Sequence, residues 1–207
     1  MNKKLLIFIP HINVGGVEKN LFLIANYLAK KIDNISIITV NKKFTKNLNK
    51  KIKIISPKSR VWEDSSMYTK YIISILLLIN TLKSDRNYLV FSFQANWYAI
   101  IISKLFGIKI VTRSNTAPQG WSGSVIKKFF YKLVINLADK IIVNSNEFKD
   151  SLKKYFNVNS ACIYNPLNKS KILKLSKSIK KFDFFKIEKY LKIINIGRFT
   201  DQKNQLL

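Results

Sequence analysis

Residues 5–25 read LLIFIPHINVGGVEKNLFLIA, and this stretch decides the fold class. An unbroken apolar run over residues 5–9 ends at Pro10. Such a run lacks the alternation of a half-exposed strand, so it reads as a strand buried on both faces. His11-Ile12-Asn13-Val14-Gly15-Gly16 is a polar, glycine-bearing loop. From Val17 onward, Leu21, Ile24, Ala25 and Leu28 recur at helical spacing. Strand, glycine loop and helix in that order open a parallel α/β sheet.

The same alternation repeats downstream. Strands are expected over residues 36–40, 51–55, 88–93, 108–112, 140–144 and 161–164. Helices are expected over 67–83, 95–106, 123–138 and 147–156. Loops cover 41–50, 58–66 and 113–122, the last with Pro118, Gly120 and Trp121. Gly107 closes a helix as a C-cap, and Ser56-Pro57 and Asn165-Pro166 stop strands. Alternating strands and helices with right-handed crossovers predict a Rossmann-like, doubly wound parallel sheet covered on both faces. Residues 1–166 make one such domain, and 167–189 read as a Lys-rich linker. Residues 190–196 (YLKIINI) read as another strand. A lone strand cannot bury both faces, so 190–207 are expected to begin a truncated second domain.

Composition removes several function classes. The 207 residues carry 37 Lys+Arg against 11 Asp+Glu, a net charge of +26. At 47% hydrophobic residues the chain is not disordered despite that charge. One cysteine, Cys162, and one histidine, His11, exclude disulfide frameworks, zinc clusters and any site needing two imidazoles. The arginines are few: Arg60, Arg86, Arg113 and Arg198. Sequence-specific DNA readers rely on arginine forks, so the excess of lysine points first to a solvated surface and next to anionic lipid. No segment reads as a signal peptide, and residues 71–82 are too short to span a bilayer. The expected location is the cytoplasm or the cytoplasmic face of the inner membrane.

Three places could carry chemistry. Gly15-Gly16-Val17-Glu18 lies at a strand-to-helix junction, where glycine admits a ligand and helix N–H groups attract anions; a plain tight turn has equal claim. Thr112-Arg113-Ser114-Asn115 follows a strand at its carboxyl end, where open parallel sheets place ligands; an exposed loop arginine is the plain alternative. In the segment from Ile194 to Lys203, Arg198 and Lys203 could grip a diphosphate, one as a planar fork and one as a point charge; two surface cations are the plain alternative. Cys162 reads as a small core residue. His11 reads as a loop hydrogen-bonder beside the glycines. There is no Gly-x-Ser-x-Gly elbow and no Glu-x7-Glu pair.

Five stretches in order resemble the family 4 glycosyltransferases of the GT-B fold. They are LLIFIPHINVGGVEKNLFLIANYLAK from Leu5, VFSFQANWYAIIISKLFGIKIVTRSNTAP from Val90, ADKIIVNSNEFKDSLKKYF from Ala138, CIYNPLN from Cys162, and IINIGRFTDQKNQLL from Ile193. The resemblance implies twin Rossmann-like domains facing across a cleft. It implies transfer of a sugar from a nucleotide-sugar to a lipid-linked or cell-envelope glycan, with retention and without a metal cofactor. On that pattern Gly15, Gly16, Arg198 and Lys203 bind the donor, while His11, Glu18, Arg113 and Asn115 face the acceptor. No catalytic nucleophile is assigned. The family's donor-holding Glu-x7-Glu motif is missing, so this chain by itself is expected to be inactive.

The alternative is a non-catalytic Rossmann-like module that docks on an anionic membrane or a protein partner. The basic, apolar stretch VIKKFFYKLVINL from Val125 suits a membrane face, although packing on the sheet is the simpler reading. A nucleic-acid binder rests on charge alone.

Overall fold

A computed structural model describes residues 4–12, 15–115, 125–178 and 191–193. Its strands form one sheet: β1 (Lys4–Phe8), β2 (Ile35–Ile38), β3 (Lys53–Ile55), β4 (Tyr88–Ser92), β5 (Lys109–Ser114), β6 (Lys140–Val143) and β7 (Ala161–Cys162). The order is β3-β2-β1-β4-β5-β6-β7, and every neighbouring pair is parallel. The connecting helices are α1 (Gly16–Leu28), α2 (Met67–Ser84), α3 (Asn96–Leu105), α4 (Val125–Asn136) and α5 (Asn146–Phe156). This is the doubly wound α/β sheet that the opening stretch predicts.

The pleat of β1 explains the apolar run. Leu5 and Ile7 point to one face, with Leu21 and Ala25 of α1. Leu6 and Phe8 point to the other, with Leu78 and Leu82 of α2 and Ile100 of α3. Both faces of the strand are covered, so every position is apolar. A third cluster joins Ile135 of α4 and Ile141 and Val143 of β6 to Phe148, Leu152 and Phe156 of α5. Gly107 follows α3 with φ +67°, the left-handed value that glycine supplies at a helix end.

The strand β5 departs from expectation. It runs on to Ser114 because Arg113 and Ser114 pair with Ile142 and Val143 of β6. Arg113 is therefore a strand residue, not a loop residue. Helix α4 divides its apolar residues between two sides. Val134 and Ile135 pack inward, while Ile126, Phe129, Phe130 and Leu133 stay exposed.

The chain separates into two compact units, Met1–Leu167 and Asn168–Leu207. In the second, α6 (Lys169–Ser178) begins where Asn168 Oδ1 accepts from the backbone N–H of Lys171 at 3.0 Å. A helix thus occupies part of the stretch whose lysines suggest a linker. Most of the expected strand over 190–196 lies outside the described residues, and 191–193 join no ladder. Arg198 and Lys203 also lie outside them, as do Asn13, Val14, Pro118, Gly120 and Trp121.

Candidate active site

All strands are parallel, so their carboxyl ends share one edge. The sheet order reverses between β1 and β4, whose exit loops diverge to opposite sides. An open α/β sheet places its ligand crevice at such a switch point. His11, Gly15, Gly16 and Glu18 come to this edge from β1. Gln94, Ala95 and Asn96 come from β4, and Arg113 and Asn115 from β5.

Gly15 has φ −166° and ψ −178°, an extended conformation open to any residue. The one close neighbour of the missing side chain is the far end of a flexible glutamate. A Cβ at Gly15 would lie 2.6 Å from Glu18 Oε2. A Cβ at Gly16 would meet nothing within 4 Å, so this position faces open space. Among the described residues no side chain caps α1, and a helix start of this kind can receive an anion at its first N–H groups.

Glu18 is buried on the stripe that it shares with Leu21 and Ala25. Gln94 Nε2 reaches its Oε1 from the β4 side at 3.5 Å. Gln94 Oε1 and His11 Nδ1 are buried and have no hydrogen-bond partner among the described residues. The His11 ring lies 6.0 Å from that of Tyr71. A carboxylate, an amide and an imidazole with unused capacity suit a ligand rich in hydroxyl groups. The turn that carries Gln94 is special: Ala95 adopts φ +52°, uncommon for a residue other than glycine. Ser92 Oγ stands 2.7 Å from Asn96 Oδ1 and 2.9 Å from the Gln94 carbonyl, and Asn96 Nδ2 donates to the Arg113 carbonyl at 3.1 Å.

Arg113 does not stand free to face an acceptor. It is 1% exposed, and its Nη2 donates to the Ile163 carbonyl at 3.1 Å and to Asn165 Oδ1 at 2.9 Å. Asn20 Nδ2 donates to the same Asn165 oxygen at 2.8 Å. The guanidinium thus ties β5 to the chain leaving β7, and Asn165 carries that tie to α1. Burial pushes the Arg113 pKa down from its usual value. Asn115 is half-buried, and its Nδ2 lies 3.5 Å from the Phe93 carbonyl.

His11 is 7% exposed, and burial lowers its pKa, with the Glu18 charge acting the other way and Lys70 adding to the drop. The unfolded chain therefore takes up the proton first. Stability is full above about pH 6.5 and falls as pH drops through it, by at most about 1.4 kcal/mol per pH unit. His11 is the chain's one histidine, so a proton NMR titration reads it without overlap. A midpoint below 6.5 is expected. A His11→Asn variant is expected to lose the fall in Tm between pH 7.5 and 5.5.

The profile described as Glycosyltransferase Family 4 matches residues 14–171. The chain belongs to that family. The matched region of this family member runs from the Gly15 loop into α6, so most of the candidate site lies within it. Solved GT-B structures share the fold. A glycosyltransferase from Rickettsia africae superposes with a TM-score of 0.57 at 20% identity, over 86% of this chain and 50% of that one. Anabaena HepE in complex with UDP-glucose gives 0.56 at 16%, over 85% and 49%. Sucrose-phosphate synthase from Thermosynechococcus elongatus gives 0.58 at 11%, over 78% and 48%. The chain spans about half the length of these structures. No curated protein matches the sequence significantly.

The structure brings His11, Gly15, Gly16, Glu18 and Asn115 to one edge of the sheet. Sequence reasoning missed Gln94, Asn20 and Asn165. Asn165 reads as a strand stop because proline follows it. A signal was present for Glu18, a carboxylate three residues before Leu21 on an otherwise apolar stripe. Among the described residues, no group of three His, Cys, Asp or Glu side chains gathers to hold a metal.

Proposed function

We propose that this chain is the acceptor-holding half of a hexosyltransferase, which moves a sugar from a nucleotide-sugar to a lipid-linked or cell-envelope glycan with retention. The supporting observation is the family match across residues 14–171, with most of the switch-point crevice inside it. UDP-glucose, the ligand of the HepE structure, is the first donor to try.

Gly15 and Gly16 let the donor's phosphates and sugar approach the uncapped start of α1. Glu18, Gln94 and His11 hold hydroxyl groups of the acceptor, and Asn115 borders them. Arg113 positions β5 and the β7 exit and does not touch substrate. Arg198 and Lys203 neutralise the leaving diphosphate. Bond breaking places positive charge on the sugar ring and negative charge on the diphosphate, and preorganised cations stabilise that separation without a metal. The protein works in the cytoplasm, against the inner membrane that carries its acceptor.

Residues 1–207 by themselves are expected to show no transfer. The test compares the 207-residue chain with a polypeptide extended by a donor domain, over a panel of nucleotide-sugars and lipid-linked acceptors. Turnover is expected from the extended form alone. Turnover by the short chain removes the claim of inactivity. Absence of transfer and of nucleotide release from the extended form removes the transferase reading.

A further inference from the structure

The helices α2, α3 and α4 carry an unusual outer surface. Their inner residues pack on one face of the sheet, in the cluster around Leu6 and Phe8. Helix α3 lies between the other two, in contact with both. All three also show large apolar side chains to the outside. On α2 these are Tyr68, Ile72 and Leu76, spaced by four. On α3 they are Tyr98, Ile101 and Leu105, spaced by three and four. On α4, Phe129 and Phe130 are 58% and 54% exposed, with Ile126 and Leu133 one turn to either side. A surface helix normally turns polar residues outward, so three adjacent helices with apolar outer stripes need a partner.

The charges beside these stripes select the partner. The three helices contain Lys70, Lys83, Lys104, Lys127, Lys128 and Lys132, and no aspartate or glutamate. Of Lys70, Lys83, Lys104, Lys128 and Lys132, only Lys104 has a carboxylate of the described residues within salt-bridge distance, Asp139 just beyond α4. The next helix, α5, has acidic residues, Glu147 and Asp150, and a largely polar outer side. Apolar stripes on helices whose own charged residues are all lysines match an anionic lipid surface: the apolar groups enter the acyl boundary and the lysines meet the head groups. Protein interfaces are depleted in lysine, whereas these stripes are bordered by lysines. Among the described residues no helix is long and apolar enough to cross a membrane, so the contact is one of lying on the surface.

We infer that the outer face of α2, α3 and α4 is a docking surface for an anionic lipid bilayer, with α4 as its anchor. This deepens the membrane reading proposed above and rests on it. It also fixes which face of the domain meets the lipid.

The test is flotation of the full chain with vesicles of phosphatidylcholine alone or with 30 mol% phosphatidylglycerol. Binding to the anionic vesicles and none to the neutral ones is expected. The double variant Phe129→Glu, Phe130→Glu is expected to lower binding more than tenfold, with its circular dichroism and Tm unchanged because both rings are exposed. Lys128→Gln with Lys132→Gln is expected to weaken binding about 25-fold, near fivefold per lysine. Failure to bind anionic vesicles, or equal binding to both kinds, overturns the membrane reading and the inference with it, whereas binding that the phenylalanine and lysine variants keep in full overturns the inference alone. So does self-association in solution that the double phenylalanine variant abolishes, which would make the face an interface between copies. No donor or acceptor enters these experiments, so a negative result leaves the transferase reading intact.

Discussion

Replacing Arg113 with alanine is expected to destabilise the domain by about 3 kcal/mol. The side chain is fully buried, and its removal leaves a cavity the size of a guanidinium and most of its stem. The Ile163 carbonyl loses its donor from β5, and Asn165 keeps only Asn20. One effect opposes this loss. No carboxylate among the described residues pairs with Arg113, so alanine also removes a buried charge. The size of that relief is read from Arg113→Met, which fills the space without the charge and is expected to cost only about 1 kcal/mol. For a domain of this size the two correspond to falls in Tm of about 6–12 °C and 2–4 °C. A methionine variant as unstable as the alanine one would show that the two hydrogen bonds outweigh the charge. An alanine variant within 1 °C of the parent would show that relief of the buried charge matches what the packing and the two hydrogen bonds contribute.

Arg113 also marks the limit of what the sequence discloses. The sheet was legible because burial on both faces leaves runs such as residues 5–9 with no polar position, and because each helix has its own period. The end of β5 was not legible. Thr112-Arg113-Ser114-Asn115 is polar, and polar residues at a strand end look like loop. Only pairing with Ile142 and Val143 extends the strand, and that pairing is nonlocal. The fate of the arginine was hidden for the same reason, since its partners Ile163 and Asn165 lie fifty and more residues later. His11, Gly15, Gly16 and Glu18 were legible as a cluster because they are neighbours in the chain. Gln94 joins them across the switch point, and no local pattern announces it. Helix α4 was half legible. Its period predicted an inward face, while the excess of apolar residues over what one face can bury is the trace of a second.

Valine at position 15 separates the two readings of the Gly-Gly pair. A tight turn that needed glycine would place it at positive φ, where valine is strained. Gly15 instead has an extended backbone that any residue adopts. The backbone therefore raises no objection to Gly15→Val. The objection comes from Glu18, whose Oε2 would stand 2.6 Å from the new Cβ. A glutamate side chain can swing away at modest cost, so the domain is expected to lose no more than about 1 kcal/mol. On the proposed function the crevice pays more heavily: the carboxylate leaves its place beside Gln94, and the valine methyl groups enter the space proposed for the donor's phosphates and sugar. A displacement of about 1 Å at a reacting centre costs about 100-fold in rate. Transfer by the form carrying a donor domain is accordingly expected to fall about 100-fold in Gly15→Val, with Tm lowered by no more than about 4 °C. Unchanged transfer at unchanged Tm would leave the pair as a plain turn. A large loss of both would make Gly15 a packing residue. A fall in transfer alone assigns the space at Gly15 to substrate, and Glu18→Gln, which keeps the shape and removes the charge, then shows whether the carboxylate itself takes part.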